Sequence, residues 1–426
     1  MERYIQAMQN SGADAWEIID TKTQSWQFYF IGHALDQNRA TDVEHITLKA
    51  YKQSADGQYM GEATAAVSPT ESTENINQIA RDLVDHASLV QNKVYALNQP
   101  SAASPIPHAA TSLKQEAETY LKAMQSVQET VDEDINSYEV FVNLNKRRLI
   151  TSTGIDHTDT YPTSMLDIIV NARRDNHEIE LSRLYHAGTC QPLQLKEDIE
   201  ELMRYGKDRL LASPTPSIDN CPVVFSTDAA LQIYSYFLDN LNAAYKVRGI
   251  SHFNINEAIT HEAHGDLLTL KTLRYLDGSP ANFAYDIEGA PIEDATLIDH
   301  GIVKRFIGNR MFSQYLGLDQ SFIVSNWCVE GGTATETSIR SGACLEVVEF
   351  SDFQVDSMTG DLFGEIRLAY YRDGKGGITP VTGGSISGSM LDNLNSMQMT
   401  QASRQYASAV IPKATRLNKL TVAGES

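Results

Sequence analysis

Apolar residues recur along this chain with two periods, and the switches between them mark out its elements. From Glu71 to Val94 the apolar positions Ile76, Ile79, Ala80, Leu83, Val84 and Ala87 lie on one helical face, which predicts an amphipathic helix. Residues 2–10 predict a shorter helix that stops at Ser11-Gly12, where glycine supplies a C-terminal cap. Between them, apolar and polar positions alternate around 14–20, 24–32, 43–52 and 58–67, the signature of half-buried strands, with polar or glycine turns such as Ala55-Asp56-Gly57 between. Pro100, Pro105 and Pro107 interrupt any regular pattern and predict a loop over 98–110. The same order then returns. A helix is predicted over Leu113–Val131, strands over Tyr138–Leu144, Arg148–Ser152, Ser164–Arg173 and Glu178–His186, and a helix over Leu195–Leu211. Helix, antiparallel strands, helix thus occurs twice, which is consistent with a duplicated unit recognisable by element order and not by a sequence repeat.

Residues 212–220, Ala-Ser-Pro-Thr-Pro-Ser-Ile-Asp-Asn, hold two prolines among small polar side chains and predict a stiff linker. It separates an N-terminal α+β domain, residues 1–211, from a β-rich C-terminal domain, residues 221–426. Pro222–Phe225 predicts a short strand, after which Thr227 or Asp228 caps a helix running to Val247. That helix carries Ala230, Ile233, Tyr234, Phe237, Leu241, Ala244 and Tyr245 at core spacing. Strands are expected over 267–273, 296–307, 343–353, 364–371 and 378–381, and a terminal helix over Ser387–Ser396. The fold class is α+β: an N-terminal antiparallel sheet with flanking helices, followed by a β-rich domain.

Composition narrows the classes of function. A chain of 426 residues exceeds one compact core, and 42% hydrophobic residues excludes general disorder. The net charge of −21 repels phosphate backbones and argues against direct nucleic-acid binding. No apolar run approaches the roughly 18 residues of a transmembrane helix, so no membrane partner is expected. The start Met-Glu-Arg-Tyr-Ile-Gln-Ala-Met lacks the layout of a signal peptide, and Cys190, Cys221, Cys328 and Cys344 form no C-x-x-C; both point to reduced thiols in cytoplasm.

Few residues suggest chemistry. His261-Glu262-Ala263-His264 looks like a metallopeptidase fragment, yet the histidines are three apart and precede a strand-like run, so a helix presenting both to one ion is disfavoured. Asp286, Glu288 and Gly289, with Gly360 and Asp361, form glycine-punctuated turns that read either as walls of a peptide channel or as structural turns. Lys146-Arg147-Arg148 reads as a solvated hairpin tip. Val329–Gly332 and Gly374–Gly377 match no phosphate-binding loop, and Ser385 lacks the G-x-S-x-G elbow.

In order and spacing, Tyr285–Pro291, Leu297–Val303 and the stretch from Val355 to Gly388 resemble the TldD/PmbA family, members of which are labelled modulators of DNA gyrase and are similar to zinc metallopeptidase subunits. Active members carry an H-E-x-x-x-H helix after a strand like Val223-Val224-Phe225-Ser226, together with a C-terminal Cys ligand. Laid over that strand, this sequence has Ser235, Tyr236 and Asp239 where His, Glu and His stand, give or take a residue, and no Cys follows Cys344. The resemblance therefore implies the PmbA/TldE-like branch: no catalytic residue, metal ligand or cofactor in this chain, and zinc supplied by a TldD-like partner. The complex it implies is a cytosolic metalloprotease that cleaves unfolded or extended peptides. Two alternatives stand beside it. One is a homo-oligomeric peptide-binding protein without protease activity. The other is a metallopeptidase with an unrecognised site, with His261, Glu262 and His264 as its metal ligands.

Overall fold

Long antiparallel pairings organise the first half of the chain. In this computed structural model, which describes residues 1–107 and 112–425, helix α1 (Glu2–Gln9) leads into β1 (Ala15–Ile31), β2 (Ala34–Gln53), β3 (Tyr59–Val67) and α2 (Thr73–Ser88). After β4 (Asn92–Lys93), the second unit runs α3 (Leu113–Gln125), β5 (Glu133–Thr151), β6 (Asp156–Arg174), β7 (His177–Ala187) and α4 (Pro192–Leu210). Residues 108–110 of the expected 98–110 loop, and Ser426 of the second domain, lie outside the described residues. The seven strands form one sheet, β4-β3-β2-β1-β5-β6-β7, so the two helix–strands–helix units join along β1 and β5. The apolar stripe of α2 covers Ile18, Ile46 and Leu48, while α3 and α4 cover Val140, Val142, Leu166 and Ile168.

The strands outrun their alternating stretches. Residues 14–20 and 24–32 belong to one strand, because β1 is hydrogen-bonded along both edges from Glu17 to Ile31 and its backbone needs no turn. Likewise 138–144 and 148–152 merge into β5 across Lys146-Arg147-Arg148, which is mid-strand and not a hairpin tip. Cross-strand acids make that possible: Arg147 meets Asp159 and Arg148 meets Asp156, each at 2.8 Å. The helix expected to reach Val94 ends at Ser88, since Asn92–Lys93 is recruited as an edge strand beside β3. That expected to reach Val131 ends at Gln125, where Thr130 and Glu133 turn the chain into β5.

The segment 212–220 is threaded into the second half: β8 (Ser213–Pro214) and the start of β9 (Ile218–Phe225) are both paired strands. The expected helix to Val247 is two, α5 (Ala230–Asn240) and α6 (Ala243–Val247). It breaks because Ile307 captures the backbone there: Ala243 N–H donates to Ile307 O and Ile307 N–H to Leu241 O, at 2.7 and 3.0 Å. Neither Thr227 nor Asp228 caps α5 with its side chain; the Thr227 carbonyl accepts from Ala230 instead.

Next come β10 (Leu270–Leu273), β11 (Ala295–Asp299), β12 (Ile302–Val303), α7 (Arg310–Tyr315) and β13 (Asn326–Val329). The 296–307 stretch is therefore a hairpin, turned at His300-Gly301 where both residues have positive φ. The chain then runs through β14 (Ala343–Val355), β15 (Asp361–Asp373), β16 (Ile378–Thr382), β17 (Ser385–Ser389), α8 (Met390–Asn393), β18 (Gln398–Met399), β19 (Ser403–Tyr406), β20 (Ala409–Pro412) and β21 (Thr415–Ala423). The helix expected over Ser387–Ser396 shrinks to α8 and a 3-10 turn, because β15 and β21 claim Ser385–Ser389 as a strand between them. One sheet runs β12-β11-β10-β13-β20-β19. The other runs β14-β9-β21-β17-β15, and β14 pairs β15 as well, so these five strands close into a ring with β16 and β8 extending from it.

The halves share apolar contacts. Val348 and Leu368 belong to the core beneath α3 and α4, and Met311 and Tyr315 pack on the cluster of Tyr51, Met60 and Tyr95. The four cysteines are unpaired thiols. Among the described residues no helix is long and apolar enough to cross a membrane.

Glu346 shows how the second half holds a charge inside. It is 5% exposed and accepts from Arg340 at 2.6 Å and Arg372 at 2.7 Å. Burial pushes its carboxyl up, but the two guanidinium groups outweigh that and hold it below the ordinary value. A depressed folded value means the group stabilises above the ordinary carboxylate range and loses that contribution as pH falls through the depressed value. Glu346→Gln is expected to cost about 3–5 kcal/mol at neutral pH, read from the urea midpoint, with a smaller penalty on acidification.

Candidate functional site

The strand β9 delivers the chain to α5, which holds the positions expected from the resemblance to lie over a metal-binding helix. Its Ile233, Tyr234 and Phe237 are wholly buried with Val223, Phe225, Leu345 and Leu417. Tyr234 and Thr415 share a hydroxyl hydrogen bond of 2.6 Å, and Tyr236 meets Phe237 and Phe253 edge-on at 5.3 and 6.3 Å. Asp239 accepts from Ser357 Oγ at 2.6 Å, and Ser235 is half-buried. Positions 235, 236 and 239 therefore offer a hydroxyl, a phenol and one carboxylate already in use. That set does not fit zinc, which requires imidazole, thiolate or carboxylate ligands in a converging geometry. Among the described residues no three His, Cys, Asp or Glu side chains gather as a metal site.

His261, Glu262 and His264 are exposed on an irregular loop, not on a helix, so the imidazoles lack a common helical face. The loop is fixed through its backbone and one acid. His264 N–H donates to Asn395 O, while Asp266 accepts from Thr333 N–H, the Thr333 hydroxyl and Met399 N–H.

Asp286, Glu288 and Gly289 sit together where the two halves meet. Asp286 accepts from Glu288, Ala290 and Ile323 N–H groups, each at 2.9 Å, and Glu288 accepts from Arg310 N–H at the start of α7. Gly289, at φ +81°, lies against the first sheet so closely that a Cβ would stand 2.8 Å from Ile155 Cδ1. Asn98 donates to Glu288 O and Arg147 to Tyr285 O. Gly360 ends the turn between β14 and β15, near Tyr236, Met390 and Leu391, and Asp361 opens β15, exposed beside an open groove. Among the described residues no hydrogen bond links the two sets.

Burial raises the carboxyls of both Asp286 and Glu288 despite their backbone donors. Glu17 lies in the same acidic cluster, accepting from Tyr51 Oη at 2.9 Å; burial pushes its carboxyl up to about 7 against the pull of Lys49.

A cavity of about 240 Å³ lies between the halves, outside the sequence motifs. Its walls include Arg183 and Tyr185 of β7, Asp198 of α4, Asp228, and Arg404 and Tyr406 of β19. The available signal was an Arg-x-Tyr pair in each of two strands, Arg183-Leu184-Tyr185 and Arg404-Gln405-Tyr406, which puts Arg and Tyr on one face.

The family described as the PmbA/TldA metallopeptidase C-terminal domain matches residues 218–424, the span from β9 through α5 to the end of β21. Residues 218–424 belong to the PmbA/TldD/TldE family. No curated protein matches it. Three solved structures are similar over nearly the whole chain. TldE from Thermococcus kodakarensis superposes with a TM-score of 0.80 at 14% identity, covering 100% of both chains. A candidate modulator of a DNA gyrase from Thermotoga maritima gives 0.78 at 16%, covering 99% of each. A candidate modulator of DNA gyrase from Bacteroides thetaiotaomicron gives 0.77 at 16%, covering 100% of this chain and 98% of that one. At such identities the likeness establishes the shared fold.

Glu17 gives a test of the contact between the halves. Because its folded value is raised, its contribution to stability is full below the ordinary carboxylate range and is lost as pH rises through about 7. Glu17→Gln removes that loss, so the variant gains on wild type by on the order of 2–3 kcal/mol between pH 5 and pH 8 in urea unfolding.

Proposed function

We propose that this chain is the PmbA/TldE-like, non-zinc-binding subunit of a cytosolic metalloprotease complex that acts on unfolded or extended peptides. The observation that supports this most is the donor set on α5. By the resemblance, and give or take a residue, Ser235, Tyr236 and Asp239 take the places of the active branch's two imidazoles and carboxylate, and the neighbouring residues Tyr234 and Phe237 fill the core. Converting this helix into a metal site would require replacing three side chains at once. Ion binding, water activation and the general base then belong to a TldD-like partner. This chain contributes shape: a rigid second half, locked to the first sheet by the Asp286–Gly289 loop, that walls the chamber and excludes folded substrates.

The test is reconstitution. The purified chain alone is expected to carry no stoichiometric zinc and to leave an unfolded peptide intact. Mixed with an H-E-x-x-x-H relative it is expected to co-elute, and the pair to hydrolyse the peptide in a chelator-sensitive way. Chelator-sensitive hydrolysis by this chain alone would overturn the proposal. A stable symmetric assembly that binds peptide and ignores the zinc-bearing relative would replace it with the homo-oligomeric reading.

A further inference from the structure

We propose that the cavity between the two halves binds a free α-amino acid with an apolar side chain, held as its zwitterion by Tyr185, Tyr406, Arg404 and Asp228. The site uses none of Ser235, Tyr236 or Asp239 and does not rest on the peptidase reading.

The cavity lies where two sheet edges face each other. β7 is the last strand of the first sheet and β19 the last strand of the six-stranded sheet, so each presents an Arg-x-Tyr face to the space between them. The junction beside it is tight and backbone-made. Gly188 N–H donates to Gly278 O at 2.7 Å, and a Cβ on Gly188 would stand 2.2 Å from Ser279 O. That contact fixes the separation of the walls.

Three polar atoms here have no partner although they are buried: Tyr185 Oη, Tyr406 Oη and Arg404 Nε. All three belong to residues lining this one cavity. Buried polar groups are nearly always bonded, and three unpartnered groups on residues that line one mainly apolar space point to something that occupies it. Burial raises both phenols, so each remains a protonated hydroxyl able to donate. With Arg404 Nε–H they make three donors suited to a carboxylate.

The acids decide what the rest of the ligand carries. Arg183 is engaged by Glu349 and Arg404 by Asp198 and Glu201, whereas Asp228 has only a loose approach to Arg183, 3.8 Å, and is half exposed. Around the two guanidinium groups stand four carboxylates, so the local charge is negative and a phosphate or dicarboxylate is repelled. A zwitterion satisfies both sides: its carboxylate meets the three donors and its ammonium meets Asp228. Leu195, Leu231 and Tyr120 supply apolar wall for a side chain. The volume, about 240 Å³, falls below the range of roughly 300–1,000 Å³ typical of sites for drug-sized ligands and suits one residue-sized molecule, not a peptide.

Calorimetric titration of the whole chain with leucine, methionine and phenylalanine tests this, beside 4-methylpentanoate, which lacks the amine, and 3-methylbutylamine, which lacks the carboxylate. At least one amino acid is expected to bind, and its two truncated analogues at least about tenfold more weakly. The double variant Tyr185→Phe, Tyr406→Phe is expected to lose at least about tenfold in affinity while its unfolding midpoint holds or rises, since only unpartnered hydroxyls are removed. Asp228→Asn is expected to weaken the amino acid and leave 4-methylpentanoate unchanged. Absence of heat and of any thermal shift at about 10 mM amino acid would leave only ordered water in the cavity and overturn the proposal. Equal binding of the truncated analogues, or undiminished binding by either variant, would overturn it too.

Discussion

Complete desolvation of the inner face of α5 is the constraint on which the second half is built. A ring of five strands has an interior that must be filled, and Ile233, Tyr234 and Phe237 share one core with Val223, Phe225, Leu345 and Leu417. Phe225, Phe350 and Phe353 stack beside them, with centroids 4.8 to 6.1 Å apart. Closing the ring through β14 and β15 pairs both edges of each of its strands, so the helix meets a surface with little freedom to move. Ile307 then fixes the helix end by taking the backbone bonds at Leu241 and Ala243. The same packing leaves Ser235 and Asp239 half-buried beside its buried stripe.

The seam between the halves obeys a different logic. Beside its apolar contacts it is held by polar and glycine groups that tolerate no substitute of another shape. Asp286 bonds three backbone N–H groups from two loop segments, Glu288 caps the entry to α7, and Gly289 touches Ile155 and Leu149 through the space where a Cβ would be. The contact of Gly188 with Gly278 and Ser279 does the same at the other junction. Between these fixed points lies a space whose polar lining is not used up by the fold. Walls held by such contacts suit a small ligand, because its binding energy is not spent on ordering them.

The helical stripes were legible because burial on one face imposes its period directly on the sequence. Ile76, Ala80, Leu83, Val84 and Ala87 are buried as their spacing requires, and Ile233, Tyr234 and Phe237 likewise. The order of helices and strands in both N-terminal units also followed from local pattern. Strand lengths did not. Thr21, Thr23 and Ser25, or Lys146 to Arg148, interrupt the alternation, yet stay in strands because neighbours on both sides complete their hydrogen bonds. Ser387–Ser396 failed in the opposite direction, since an available gap between β15 and β21 outweighs local helical preference. Asp286, Glu288 and Gly289 stood out as a turn from sequence, but their bonds to Ile323, Arg310 and the first sheet involve partners tens to hundreds of residues away.

By itself the sequence determined the class of fold and the family that its second half belongs to, because both are written in residue types at short spacing. Only tertiary structure decided that five strands close into a ring, that α5 stops where Ile307 meets it, and that Arg183, Tyr185, Arg404 and Tyr406 face one cavity. The physical reason is separation along the chain. Periodicity records what a residue does with neighbours a turn away, while a ring closure or a shared cavity depends on pairs some two hundred positions apart, whose meeting is fixed by backbone bonding and packing across the whole molecule.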